Sequence, residues 1–205
     1  DHELLACRTA IKMQERLAEL REQWQAEGDR WPEIVHHMQN RIGINTGQMV
    51  TGNMGSDSRM NYTMMGDTVN LAARLESSAK QYGIYIQIAD STYESVKDQV
   101  VIRALDFVKV MGKEEPVKVY ELISEVGQEP EPYKKILPAF HEAIAYYFNQ
   151  DWEKAIEAFK AADELEEMFA GRKTNPSRIY IPRCEHFKVN PPGDDWDGVW
   201  TLTSK

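Results

Sequence analysis

The sequence predicts an α+β fold followed by a small all-helical unit, and three observations carry that reading. Helical and strand-like periodicities interleave from residue 3 to residue 123. A cluster of prolines, glycine and acids, Gly127 to Pro132, then interrupts the chain. Beyond it only helical spacing recurs, with small and aromatic residues on one face. At 205 residues and 42% apolar content, the chain is long enough for one large domain or two small ones with a real core.

The elements follow in order. From Glu3 to Ala26, Ala6, Ala10, Met13, Leu17, Leu20 and Trp24 fall three or four apart, a stripe along a core-facing helix that Gly28 to Pro32 breaks. Ile42 and Ile44, then Met49 and Thr51, alternate around Gly47 and read as a hairpin. Asp67 reads as the N-cap of a helix from Thr68 to Tyr82, with Ala72, Leu75, Ala79 and Tyr82 inward. Ile84, Ile86 and Ile88 alternate as a strand before a short helix from Ser91 to Val96. Val100 to Val110 and Val117 to Ile123 read as a second hairpin, turned by Gly112 to Pro116.

In the C-terminal part, Ala139, Ala143, Tyr146 and Tyr147 mark one helix and Ala155, Phe159 and Ala162 the next. Their offsets resemble one tetratricopeptide repeat, in which small residues let two antiparallel helices approach. Asn175-Pro176 opens a third helix through Phe187, and Trp196 and Trp200 suggest a tail that docks on a surface. A single repeat cannot bury both faces, so this unit is expected to pack on the first domain or on a partner. The expected divisions are 1–124, a linker at 125–135, helices over 136–190 and a tail at 191–205.

Composition excludes several functions. With 24 Lys and Arg against 33 Asp and Glu, the net charge of −9 repels a phosphate backbone and argues against nucleic acid. Apolar runs such as Ile84 to Ile88 are interrupted and far short of the roughly 20 residues that span a bilayer. Cys7 and Cys184 have no neighbouring ligands at metal spacing, which points to a reducing cytoplasm and neither a disulfide scaffold nor a zinc site. The opening Asp1-His2-Glu3 has no initiator Met and no apolar leader, and reads as a piece of something longer.

The densest polar constellation runs from Asn61 to Glu76. On the helix from Thr68, Asn70 and Arg74 are four apart and share the face opposite the apolar stripe, near the positive helix start. An Arg fork there suits phosphate oxygens, and an Asn amide can orient a hydroxyl or ring oxygen. The plainer alternative is a solvated helix face.

The stretch from Arg41 to Glu76, followed by Lys80-Gln-Tyr-Gly-Ile, resembles the catalytic domain of class III nucleotide cyclases. Ile42-Gly-Ile-Asn-Thr-Gly, Gly52-Asn-Met-Gly-Ser, Asn61-Tyr-Thr and Gly66-Asp-Thr-Val-Asn-Leu-Ala-Ala-Arg-Leu-Glu keep the family's order and spacing. Val110-Met-Gly-Lys and Pro116-Val-Lys-Val-Tyr-Glu-Leu resemble its closing hairpin, so the similarity spans residues 3 to 123. The C-terminal helices and Asp195-Trp-Asp-Gly-Val-Trp are similar to the extension of bacterial cyclases that carry a CHASE2 sensor.

The resemblance implies a ferredoxin-like domain that converts ATP to cyclic AMP and pyrophosphate, with two Mg2+ or Mn2+ ions, at the interface of a homodimer. It assigns Asn70 to ribose orientation, Arg74 to charge on the α-phosphate, and Thr63 to the base, where Thr favours adenine over guanine. The family's two metal-binding aspartates and its base-selecting Lys would precede Asp1, so these residues hold no metal ligand and half a site, and alone should be inactive. Asp57 in a turn and Asp67 as a cap do not replace them. Met111 stands where the family often has a Lys for the terminal phosphates; Lys109 and Lys113 are candidates to take over, or are strand-end charges. The parent protein is expected in the cytoplasm, with an anchor upstream in an inner membrane as the alternative. A competing reading is an inactive cyclase-like dimerisation module with a repeat-like appendage; a repeat-type peptide or carbohydrate binder would need several repeats.

Overall fold

The computed structural model describes residues 1–108, 116–166, 172–193 and 195–200. Its first part is a sheet covered on both faces, with strands β1 (Ile42–Ile44), β4 (Ile86–Ala89), β6 (Val117–Glu125) and β5 (Val100–Val108) side by side in that order. Strands β2 (Val50–Ser56) and β3 (Arg59–Met65) form a separate two-stranded hairpin. Helices α1 (His2–Ala26) and α4 (Asp90–Val96) lie on one face of the sheet, and α3 (Asp67–Tyr82) lies on the other. The short α2 (Glu33–His36) follows a 3-10 turn at Gly28–Arg30.

Strand alternation sorts the core into two layers. Ile86 and Ile88 of β4 join Tyr120 and Leu122 of β6 and meet Cys7, Ala10 and Ile11 of α1. The intervening Ala89 and Val119 point the other way, to Leu71, Leu75, Ala79 and Tyr82 of α3. Every residue of β4 is therefore buried. The α1 face is rotated from the one the spacing predicts: Cys7, Ala10, Ile11 and Leu17 face inward, and Ala6 and Met13 face out. On α3, Leu71 occupies the buried position and Ala72 is only half-buried.

The expected hairpin around Gly47 does not form. β1 pairs in parallel with β4, Ile42 opposite Ile86 and Ile44 opposite Ile88, while β2 pairs antiparallel with β3, Gly52 opposite Thr63. Alternation reads alike in either arrangement, and parallel neighbours need a crossover, here the hairpin and α3. That crossover depends on Gly43. A Cβ there would lie 2.2 Å from the Ala72 carbonyl oxygen and 2.5 Å from the Glu76 nitrogen, so only glycine admits α3 this close to β1.

The hairpin of β5 and β6 forms as the sequence predicts, with an irregularity of consequence. Ala104 sits opposite Tyr120 and Asp106 opposite Val119, which leaves Leu105 as an extra residue. This bulge changes the phase of the strand, so Arg103, Leu105 and Asp106 all face the α3 side.

The C-terminal helices are α5 (Glu131–Phe148), α6 (Trp152–Glu166) and α7 (Pro176–Val189). α5 begins at Glu131, inside the stretch expected to be a linker, because Pro130 and Pro132 suit a helix start and so do not break it. Asn175 caps α7, its side chain accepting from the Arg178 nitrogen at 3.1 Å. Phe140, Ala143, Tyr147, Ala155, Phe159, Ala162, Tyr180 and Cys184 make their core, and Trp196 and Trp200 of the tail pack against it. Cys7 and Cys184 are both free and buried, and burial pushes their thiols up to about 11 and about 12.

Charges join the helices to the sheet. Arg103 of β5 has no exposed surface. Its Nε donates to Glu121 Oε2 of β6 at 2.8 Å, and Nη1 and Nη2 donate to the two oxygens of Glu166 of α6 at 2.6 and 3.2 Å. Arg172 joins the same carboxylates, and the Tyr133 hydroxyl of α5 donates to Glu121 Oε1 at 3.1 Å. Two cations thus face two anions, and the guanidinium of Arg103 lies 4.9 Å from the Phe140 ring. Among the described residues, replacing Arg103 by Met leaves Arg172 as the one cation facing two buried carboxylates. The expected loss is about 3–5 kcal/mol, read as a lower urea midpoint at unchanged slope.

Candidate active site

The candidate residues are delivered by the junction of β3 and α3. Gly66 caps α3 with φ +145°, a conformation that favours glycine, and its carbonyl accepts from the nitrogens of Val69 and Asn70, each at 3.1 Å. Asp67 is therefore the first helical residue and not the cap, and it places a negative charge at the positive helix end. The preference of Asp for caps and for first turns is similar, which is why the sequence misplaces it by one.

The loop after β1 ties this helix start down. Asn45 Nδ2 donates to the Thr68 carbonyl at 3.0 Å, and its Oδ1 accepts from Ser91 Oγ at 2.8 Å. Thr68 Oγ1 donates to the Gln48 carbonyl at 2.6 Å. Gly47 lies beneath: a Cβ there would stand 2.3 Å from Thr68 Cγ2. The residues that resemble a family motif thus have a local task, to seat one helix N-terminus against one strand end.

Asn70 and Arg74 emerge from this frame on the exposed side of α3, opposite Leu71 and Leu75. Thr63 is exposed on β3, three residues before Gly66. The structure so places three of the expected site residues on consecutive elements, with Asn70 and Arg74 sharing a face. Lys109 and Lys113, and Met111 between them, lie outside the described residues. Among the described residues no group of three or more His, Cys, Asp or Glu could hold a metal ion. Asp57 is exposed in the β2–β3 turn and Asp67 stands at the helix start, so neither fits a two-carboxylate metal set.

A polar face with these neighbours can bind an anion near a helix start, through Arg74 and the helix dipole, and orient a hydroxyl through Asn70. The family model described as "Adenylate and Guanylate cyclase catalytic domain" matches residues 1–124. The chain belongs to this cyclase family. It is 37% identical over 147 residues to "Adenylate cyclase, terminal-differentiation specific" of Dictyostelium discoideum, covering 70% of this chain and 7% of that protein. That share of the chain is larger than residues 1–124 make up, so the likeness runs on into α5. It is also 37% identical over 121 residues to "Adenylate cyclase 1" of Rhizobium meliloti, covering 59% of this chain and 17% of that protein. The chain therefore spans only a small part of the length of the curated relatives it matches. A bacterial light-regulated adenylyl cyclase superposes with a TM-score of 0.50 at 25% identity, over 62% of this chain and 35% of that one.

Sequence reasoning missed the buried charged residues of β5 and β6. Arg103 inside Val100 to Leu105 and Glu121 inside Val119 to Leu122 each interrupt an apolar strand, which is the available sign of a buried pair. Gly47→Ala should loosen the seat of α3. The expected cost is about 1–3 kcal/mol, measured by thermal or urea unfolding, because the added methyl overlaps Thr68.

Proposed function

We propose that residues 1–124 supply the nucleotide-binding part of an adenylate cyclase site, with ATP as substrate and cyclic AMP and pyrophosphate as products. The ribose 3′-oxygen attacks the α-phosphorus and loses its proton, and the bond to the bridging oxygen of pyrophosphate breaks. The observation that carries this reading is the placement of Asn70 and Arg74, one turn apart on the exposed face of a helix whose start is fastened to β1. Asn70 orients the ribose. Arg74 offers its planar donors to the α-phosphate oxygens, where charge rises as the fifth bond forms. Thr63 reads the adenine edge with a hydroxyl that both donates and accepts, so discrimination against guanine should be incomplete. Mg2+ or Mn2+, which the resemblance calls for, would activate nucleophile and leaving group; the described residues do not hold it, and no role of Asn70, Arg74 or Thr63 is derived through it.

We also infer a homodimer. The β2–β3 hairpin forms a sheet of its own, with Val50, Met60, Tyr62, Met64 and Met65 all more than half exposed. Such an apolar arm suits burial against a second copy of the chain. Among the described residues no helix is long and apolar enough to cross a membrane. An ATP-consuming reaction and two free thiols fit the cytoplasm. The three C-terminal helices, with the tight α5–α6 turn at Asn149 to Asp151, are read as a repeat-like appendage to the catalytic unit.

Turnover in the full-length protein tests the site. Arg74→Ala is expected to lower kcat on the order of 10²-fold or more with a much smaller rise in KM, since a contact made in the transition state is lost. Equal changes in both would reduce Arg74 to ground-state binding. The ratio of kcat/KM for ATP over GTP should exceed one, and a preference for GTP removes Thr63 from its role. Sedimentation across a dilution series should give a mass that falls toward that of one chain only at low concentration; a single-chain mass throughout refutes the dimer.

A further inference from the structure

The far end of α3 is gripped by the C-terminal helices. Tyr82, its last residue, donates its hydroxyl to Asp106 Oδ2 at 2.7 Å, and Arg183 Nη1 of α7 donates to the same oxygen at 2.6 Å. The other oxygen of Asp106 accepts from the Phe107 nitrogen at 2.8 Å, so the carboxylate is held at three points. All three side chains are buried or nearly so. Arg183 is itself wedged against the Tyr180 and Trp200 rings, at 5.0 and 5.4 Å, and the Tyr180 hydroxyl donates to the Leu105 carbonyl of β5. Immediately after the helix, Gly83 turns with φ +66°, and a Cβ on it would stand 2.0 Å from the Thr174 carbonyl oxygen. Ile179 of α7 packs beside Leu75 and Ala79.

These contacts divide the work of holding α3. The glycine contact with β1 at Ala72 and Glu76 limits how near the helix comes, but a steric stop does not prevent sliding along the axis or roll about it. At the N-terminal end the Thr68 to Gln48 bond is exposed and the Asn45 to Thr68 bond only partly buried. The Asp106 clamp is buried, where a hydrogen-bonded ion pair is stronger and more directional. A rise of 1.5 Å per residue puts Tyr82 roughly 12 Å from Arg74 and roughly 18 Å from Asn70 along one rigid helix. Displacement at the clamp is therefore carried to both.

We propose that Arg183 is a positioning residue for the nucleotide site: through Asp106 and Tyr82 it fixes the axial position and roll of α3, and with them Asn70 and Arg74, so that the C-terminal helices set the turnover of the cyclase domain. The inference rests on the reading that Asn70 and Arg74 handle the nucleotide. A misplacement of about 1 Å at a reacting centre can cost about 10²-fold in rate, which is the scale expected for loss of the clamp.

The test measures ATP turnover and backbone hydrogen exchange over residues 67–82 in the full-length protein carrying Arg183→Met, Arg183→Lys or Tyr82→Phe. Arg183→Met should lower kcat by about 10- to 100-fold with KM changed less than about threefold, and speed exchange in α3. Arg183→Lys, which keeps a cation for Asp106, should recover most of the loss. Tyr82→Phe removes one hydroxyl, and it decides the matter if Arg183→Met does not fold; its kcat should fall about 3- to 10-fold. Wild-type kcat in Tyr82→Phe and Arg183→Met, unchanged exchange in α3, or a loss that Lys does not recover would each overturn the proposal while leaving the cyclase reading intact. A wild-type protein that turns over no nucleotide defeats that reading and the positioning role with it, even where exchange shows the clamp to hold.

Discussion

Arg103 is the constraint around which the rest is arranged. A guanidinium cannot be deprotonated at any pH the protein meets, so burying it without surface exposure obliges the fold to surround it with anions. One anion comes from the neighbouring strand, Glu121, and the other from a helix more than sixty residues further along, Glu166. Desolvating each of these ions costs several kcal/mol, so the cluster is a weak source of net stability. Its effect is on uniqueness: with Glu166 absent, Arg103 has half its partners, and with the sheet absent, Glu166 and Arg172 share a buried surplus of polar atoms. The helices dock in one register or leave charges uncompensated.

That single register also brings the C-terminal helices to the far end of α3. The same strand that carries Arg103 carries Asp106, and α7 meets it with Arg183 while α3 meets it with Tyr82. Burial works against the charge of Arg183, but Asp106, Tyr180 and Tyr82 together outweigh it and raise its affinity for the proton. Burial, reinforced by Asp106, likewise pushes the Tyr82 hydroxyl above the usual tyrosine range and keeps it a donor. Both bonds therefore persist across neutral pH.

Much of this was legible in the residues, and the limits have physical causes. Periodicity found α3, α5 and α6 and the β5–β6 pair because each buries one face with local spacing alone. Motif order singled out Thr63, Asn70 and Arg74, and they lie on the adjacent elements β3 and α3, since position along the chain is a local property. Strand pairing was not legible at β1, whose partner β4 is reached only after a hairpin and a helix. The inward face of α1 was misjudged because Cys7 and Ile11 fit the sheet better than Ala6 and Met13, a matter of the facing surface and not of spacing. Arg103 and Glu121 lie on neighbouring strands, but Glu166 and Arg183, which complete the Arg103 and Asp106 clusters, come from helices more than sixty residues further along, beyond any local window.

The extra residue at Leu105 has a consequence of its own. A strand assigns its side chains to two sides by counting, and a chain that gains or loses one residue exchanges the two sides from that point on. Leu105 is such a gain, placed between the part of β5 that answers to Arg103 and the part that answers to Asp106. The bulge absorbs the gain, so Asp106 keeps its place opposite Val119 and its direction toward α3 and both of its donors. Within four residues the strand thus sets three side chains, Arg103, Leu105 and Asp106, on one side, where an unbroken strand would present two.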